Sequence, residues 1–402
     1  MHNNLLHPHK IISLEYDMLL GLLRRGVGGG EVGGNRFSLR RHPDWDGLKN
    51  LAVYHEVVPF IYPALKTVED NVPEDVLTFF RDIYYRTVAW CQHLWTEFLR
   101  VENAFRESGI DILPIKGVAL LNDLYSSCLS RTMSDIDVLV READLAHSAQ
   151  VLERLNYRQE LHGLKKEYWR ERHYHLVFQR IDRERDAVLE LHWMLDYKRR
   201  GGGLLPEMWE RKRFIDAQGV KTAVLSAEDT FFCMALHLRR FGKMHCLKNI
   251  LDICLLLEKY KVTFDWDYVL KEAARGKMRS IVYFALAQAN TVFPGKFFAQ
   301  IAGNLPLPDY KKELIRKFIT GNSFSSLSVK EEKTGYLLGH FLLFDGLSEP
   351  VRYIVNIPHE QFCHYYALKP YTGRSIALYR FRFLFIPLRL IISFFLRRPG
   401  QE

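Results

Sequence analysis

The chain has 402 residues, enough for two or three packed units, and its 48% hydrophobic and 13% aromatic content excludes an intrinsically disordered protein. A net charge of +9 favours an anionic partner, whether a nucleotide, a nucleic acid or a phospholipid surface, without choosing among them. Six scattered cysteines without a C-x-x-C pair, and no secretory apolar stretch after Met1, predict reduced thiols and a cytoplasmic location.

Along the chain, His2, His7 and His9 form a polar extension without the partner ligands of a closed metal site. Apolar residues recur at helical spacing over Leu14–Leu23, Leu48–Leu65 and Val76–Phe105, so residues 1–105 are expected to form a helical region. It is interrupted by a glycine-rich loop at 25–36. That loop lacks the Lys-Ser/Thr of a phosphate-binding loop and follows no apolar strand, so it reads as a hinge.

At Ile110 the pattern changes to a strand, Ile110–Ile115, a Lys116-Gly117 turn, a helix over Val118–Tyr125 and a loop to Ser134. Asp135–Val140 reads as the next strand. The stripe Leu145, Ala149, Leu152, Leu155 predicts a helix that Asn156 can end in the left-handed region. His173–Arg180 and Ala187–Trp193 predict an antiparallel hairpin across the charged turn 181–186. An αβ core over 106–215 follows. Past Gly201–Gly203 helical periodicity returns in Ala227–Leu257, Tyr268–Phe293 and Pro308–Phe318, giving a C-terminal helical domain, 216–402, and no internal repeat is visible. The expected fold is therefore α+β, a small mixed or antiparallel sheet flanked by N-terminal and C-terminal helical regions.

Asp135 and Asp137 stand at i and i+2 of a strand, which puts both carboxylates on one face about 7 Å apart at Cα. Two Mg²⁺ ions about 4 Å apart need a further carboxylate from a neighbouring strand. Glu190 fits, because in Val188–Trp193 it lies opposite the apolar Leu189, Leu191 and Trp193, and a buried charge there calls for compensation. Taken alone, the Asp-x-Asp pair reads equally as a solvated strand edge or turn.

The set Ile115–Leu120, Tyr125, Arg131-Thr132-Met133-Ser134-Asp135-Ile136-Asp137-Val138-Leu139-Val140 and Leu189-Glu190-Leu191-His192-Trp193 resembles a branch of polymerase-β-like nucleotidyltransferases. Ala235–His237 and Lys248–Ile253 extend the likeness into the helical region. The resemblance implies a nucleotidyltransferase core that moves a nucleoside monophosphate from an NTP such as ATP to a hydroxyl and releases pyrophosphate. It also implies Mg²⁺, or Mn²⁺ in its place, on Asp135, Asp137 and Glu190, with Glu190 as ligand or base. The wider superfamily has Gly-Ser or Gly-Gly at a shorter spacing before the aspartate strand, whereas here Asp135 is 18 residues past Gly117. Phosphate binding is then expected from Lys116, Gly117, Arg131 and Ser134, although Lys116 also reads as a solvated strand-end lysine. His192 reads as an acceptor-orienting group or as a packed histidine bonded to backbone. Lys248 and Asp252 read as closure residues, and Asp252 alternatively as a helix-surface residue or a partner of Lys248.

The expected acceptor is a small molecule, sugar or peptide. Alternatives are a protein or tRNA, or a non-catalytic nucleotide-binding or membrane-peripheral scaffold; no RNA-binding module is visible, so nucleic acid ranks lower. The basic-aromatic tail 369–402 is too interrupted by Arg382, Pro387 and Arg389 to span a membrane. It reads either as packing on the N-terminal helices or as an amphipathic segment on anionic lipid.

Overall fold

The computed structural model describes residues 13–27, 43–68, 72–125, 131–161, 164, 166–180, 186–198, 207–240, 246–295, 304–321, 339, 341–346 and 348–386. The three N-terminal histidines, the glycine-rich loop from 28 on, Cys128, the Gly201–Gly203 linker, Lys243 and the tail from 387 lie outside them.

Four helices open the chain: α1 (Ser13–Val27), α2 (Trp45–Tyr54), α3 (Val58–Leu65) and α4 (Glu74–Glu107). The side chain of Asp44 caps α2 by accepting from the Asp46 and Gly47 amides, and Pro59 sits in the first turn of α3, where no backbone donor is needed. With 34 residues, α4 is roughly 50 Å long.

Next come β1 (Leu113–Pro114), α5 (Gly117–Leu124), β2 (Ile136–Leu139), α6 (Leu145–Arg154), β3 (Tyr157–Gln159), α7 (Lys166–Arg172), β4 (His175–Arg180) and β5 (Ala187–His192). The strands form one mixed sheet in the order β1-β2-β5-β4-β3. β2 pairs with β5 in parallel and the other pairs are antiparallel. Asn156, at φ +65°, ends α6 in the left-handed region as its side chain permits. The mixed α+β architecture with flanking helices agrees with the sequence reading.

Three local readings need correction. The strand expected over Ile110–Ile115 is confined to Leu113–Pro114. The short strand β3 and the helix α7 lie between the predicted α6 and β4. A two-stranded sheet, β6 (Arg213–Ala217) and β7 (Val220–Val224), stands where the chain was expected to return to helix. Its turn, Gln218-Gly219, holds both residues at positive φ, +54° and +83°, as a tight two-residue hairpin turn requires.

The C-terminal part is helical: α8 (Ala227–His237), α9 (Leu247–Tyr260), α10 (Trp266–Arg275), α11 (Arg279–Val292) and α12 (Asp309–Gly321), then Ser348–Val355, His359–Tyr365 and Gly373–Arg380. One continuous core cluster runs from Met18 in α1 through the sheet to Leu343. A small separate cluster joins Phe362, Cys363 and Ile386. The described part of the tail thus packs on the helix His359–Tyr365, with the Tyr379 hydroxyl donating to the Ile357 carbonyl at 2.8 Å. Cys91, Cys233, Cys246, Cys254 and Cys363 are buried. Among the described residues no helix is long and apolar enough to cross a membrane.

Candidate functional site

The parallel pairing of β2 and β5 sets Asp137 directly beside Glu190, and Leu139 beside His192. β4 continues both rows across the sheet, with Val177 beside Glu190 and His175 beside His192. Residues paired in this way share a face, with Cβ atoms about 5 Å apart. A carboxylate row and an imidazole row therefore lie side by side on one face, while Leu189 and Leu191 are buried on the other. Asp135 stands one residue before β2, half-buried, with Ser134 exposed beside it.

His192 is fully buried, and its Nε2 lies 3.0 Å from Asp137 Oδ1 and 3.0 Å from Glu190 Oε2. Its partners are the two carboxylates, which corrects the reading of a packed histidine bonded to backbone. His175 Nε2 lies 3.7 Å from Glu190 Oε1. Lys116 donates its ammonium to Asp137 Oδ1, and Arg240 NH1 lies 3.9 Å from Glu190 Oε2 while its guanidinium stands over the Tyr174 ring.

These contacts set the charge states. Burial raises the Asp135 carboxyl, and the negative charges of Asp137 and Glu190 raise it further, to about 6. Burial alone would also raise Asp137, but Lys116 and His192 hold it at about 2. Glu190 likewise falls well below the usual carboxylate range, because hydrogen bonding to His192 and the charges of Lys116 and Arg240 outweigh its desolvation. Burial keeps the neighbouring His173 down at about 3 and His175 well below 6.5, so these rings are neutral. Asp137 and Glu190 are thus paired, ionised carboxylates with basic partners, and their charge raises Asp135. That negative charge suits a divalent cation, and carboxylate oxygens beside imidazole nitrogens are donors such an ion accepts.

The remaining sequence candidates fall elsewhere. Arg131 directs NE and NH2 to Asp252 Oδ1 and Oδ2 at 2.9 and 2.6 Å, a buried bidentate pair that the Tyr125 hydroxyl completes at 2.8 Å. Its remaining terminal nitrogen reaches the Thr132 carbonyl at 3.4 Å, so this guanidinium joins the approach to β2 to α9 and is committed away from phosphate. Asp252 is buried and bound to Arg131, neither a helix-surface residue nor a partner of Lys248. Lys248 instead bonds Glu56 and, at 3.2 Å, the Thr132 carbonyl. Gly117 begins α5, where an added Cβ would lie 3.3 Å from the Asp135 carbonyl; the close backbone approach it permits is to the start of the aspartate strand.

Sequence reasoning missed His175 and Arg240. The predicted hairpin ends, Arg180 and Ala187, already imply a register with His175 opposite His192, so His175 was recoverable. Arg240 reaches the site from the end of α8 and left no local signal.

Residues 41–294 match the model of a family described as uncharacterised nucleotidyltransferase. The chain belongs to this family. The matched stretch runs from just before α2 to the end of α11 and contains every site residue named above. Membership carries nucleotidyl transfer as the general activity, with a nucleoside triphosphate as substrate. No curated protein and no solved structure matches the chain.

Proposed function

We propose that this nucleotidyltransferase is a divalent-metal enzyme of polymerase-β-like type that transfers a nucleoside monophosphate from an NTP to a hydroxyl of a small molecule, sugar or peptide. The observation that carries the reading is the in-register pairing of Asp137 with Glu190, with Asp135 close enough in charge to be raised by both. Asp135, Asp137 and Glu190 would hold Mg²⁺ or Mn²⁺, whose bound charge stabilises the phosphates and lowers the acceptor hydroxyl's pKa.

In the reaction the acceptor hydroxyl gives its proton to solvent water, its oxygen forms a bond to the α-phosphorus, the bond from that phosphorus to the bridging oxygen breaks, and the electron pair leaves with pyrophosphate. Glu190, held ionised by His192 and its basic neighbours, is better suited to a ligand role than to accepting a proton at neutral pH. For the phosphates we assign Lys116, at the N-terminus of α5, and Arg240, whose cations lie beside the carboxylates, with Ser134 as a hydroxyl donor. Arg240 replaces the committed Arg131 in that role. For the acceptor we assign the open groove of about 610 Å³ between α2 and α4, lined by Val53, Phe79, Ile83 and Trp90 and by Thr132 and Met133, which precede Asp135 in the chain by three and two residues.

The test is to incubate the purified chain with each labelled NTP, Mg²⁺ or Mn²⁺ and candidate acceptors or cell extract, beside Asp137→Asn. Label should pass to an acceptor and fall by at least about a hundredfold in the variant. Transfer by Asp137→Asn at the wild-type rate, or no transfer with any NTP, overturns the reading.

A further inference from the structure

We propose that His192 and His175 are ligands of the ion on the Glu190 side of the site, so that this position takes a first-row transition ion in preference to Mg²⁺. The proposal rests on the divalent-metal reading and adds to it the donors and the ion class. Its basis is the second row of the sheet face. β4 and β5 pair His175 with His192, one strand step from Glu190, and each side chain offers one ligand atom such that all three atoms lie within 4.8 Å of one another.

The individual separations suit a shared ion. Ligands held at about 2.1 Å in octahedral positions stand about 3.0 Å apart when adjacent, and slightly farther apart when tetrahedral. His192 Nε2 is 3.0 Å from both Glu190 Oε2 and Asp137 Oδ1. His175 Nε2 is 3.7 Å from Glu190 Oε1, too long for a hydrogen bond and within the span of two ligands on one centre. A pair of histidines that only donated hydrogen bonds to the carboxylates would require His192 alone. Imidazole nitrogen binds later first-row divalent ions more strongly than it binds Mg²⁺, which prefers oxygen and retains water, so these two rings bias the choice of ion.

Pulsed electron paramagnetic resonance of the Mn²⁺-loaded full chain, with and without an NTP, tests this directly, because a coordinated imidazole couples its ¹⁴N nuclei to the metal. Nitrogen coupling is expected in the wild type, weaker coupling in His192→Gln or His175→Gln, and none in the double variant. The double variant should also bind Mn²⁺ at least about tenfold more weakly, a larger loss than it shows for Mg²⁺. Mn²⁺ bound to the wild type without nitrogen coupling overturns the imidazole ligands and leaves the divalent-metal reading standing. Failure of the wild type to bind Mn²⁺ under either condition overturns both.

Discussion

At Lys116 the backbone takes φ +54° and ψ −124°, a region in which a Cβ is strained and glycine is not. The chain keeps a lysine there, with its ammonium on Asp137. Lys116→Ala loses the ion pair and keeps the strain, whereas Lys116→Gly loses the same ion pair and releases it. The glycine variant should therefore be the more stable of the two by about 1 kcal/mol in urea unfolding, with nucleotidyl transfer impaired in both. At Asp252 the sign is simpler, since Asp252→Ala leaves the buried Arg131 guanidinium without its bidentate partner. A loss of about 3–5 kcal/mol is expected, measured by denaturant midpoint, and a loss under 1 kcal/mol would show that the pair is dispensable. That Asp137 and Glu190 share one sheet face was legible, because a carboxylate inside an alternating apolar strand needs a reason. The Arg131–Asp252 pair was not legible, because 121 residues separate its partners and only the packing of α9 on the approach to β2 brings them together.

Among the elements, α5 is fixed at its far end by one carboxylate. Asp123 accepts from Lys259 and Tyr260 of α9 and from Arg213 of β6, so a single side chain ties helix α5 to both the helical region and the small hairpin. Burial would raise this carboxyl, but Arg213, Lys259 and Tyr260 hold it below its ordinary value. Glu97 of α4 is lowered in the same way, against its own desolvation, by Arg100, Tyr157 and Arg180. A carboxyl lowered by folding contributes stability that is complete above its unfolded pKa and is lost as pH falls through the folded one. Stability should thus decline on acidification below the ordinary carboxylate range. Asp123→Asn should be less stable at pH 7 and show a shallower decline, and unchanged acid dependence in chemical unfolding at a series of pH values would refute that assignment. The larger helices were legible from periodicity and β5 from alternation. β3 is only three residues long, too short to register as a pattern, and β6–β7 lay beside a glycine linker past which the chain was read as returning to helix.

For the molecule as a whole, a single core joins α1 to α11 through the sheet, and ligands of the folded state should stabilise all of it together. Mn²⁺ with a non-hydrolysable NTP is expected to raise the thermal midpoint of the wild type and to leave that of an Asp135→Asn, Asp137→Asn double variant nearly unmoved, as read by calorimetry. An equal rise in both would place the nucleotide elsewhere. At the far end, Phe381, Phe383 and Leu384 are 60%, 53% and 64% exposed beside Arg380 and Arg382, an apolar and basic edge of the kind that rests on anionic lipid. Cosedimentation of the full chain with phosphatidylserine vesicles, and its loss on Phe381→Ser with Phe383→Ser, tests that contact; equal sedimentation of wild type and variant would exclude it.

The three residues that precede Ser134 have their main-chain oxygens held from separate directions. Cys91 Sγ reaches the Arg131 carbonyl at 3.2 Å, Lys248 the Thr132 carbonyl and Trp90 Nε1 the Met133 carbonyl at 3.0 Å. Helices α4 and α9 therefore serve as a jig for the first aspartate, and a fragment cut to residues 106–215 would retain every acidic side chain of the site yet lack the clamps that aim them. Expressed alone, such a piece should be neither soluble nor competent to bind a metal, so any shortened version meant for study has to keep the long helix in front and the first helices behind.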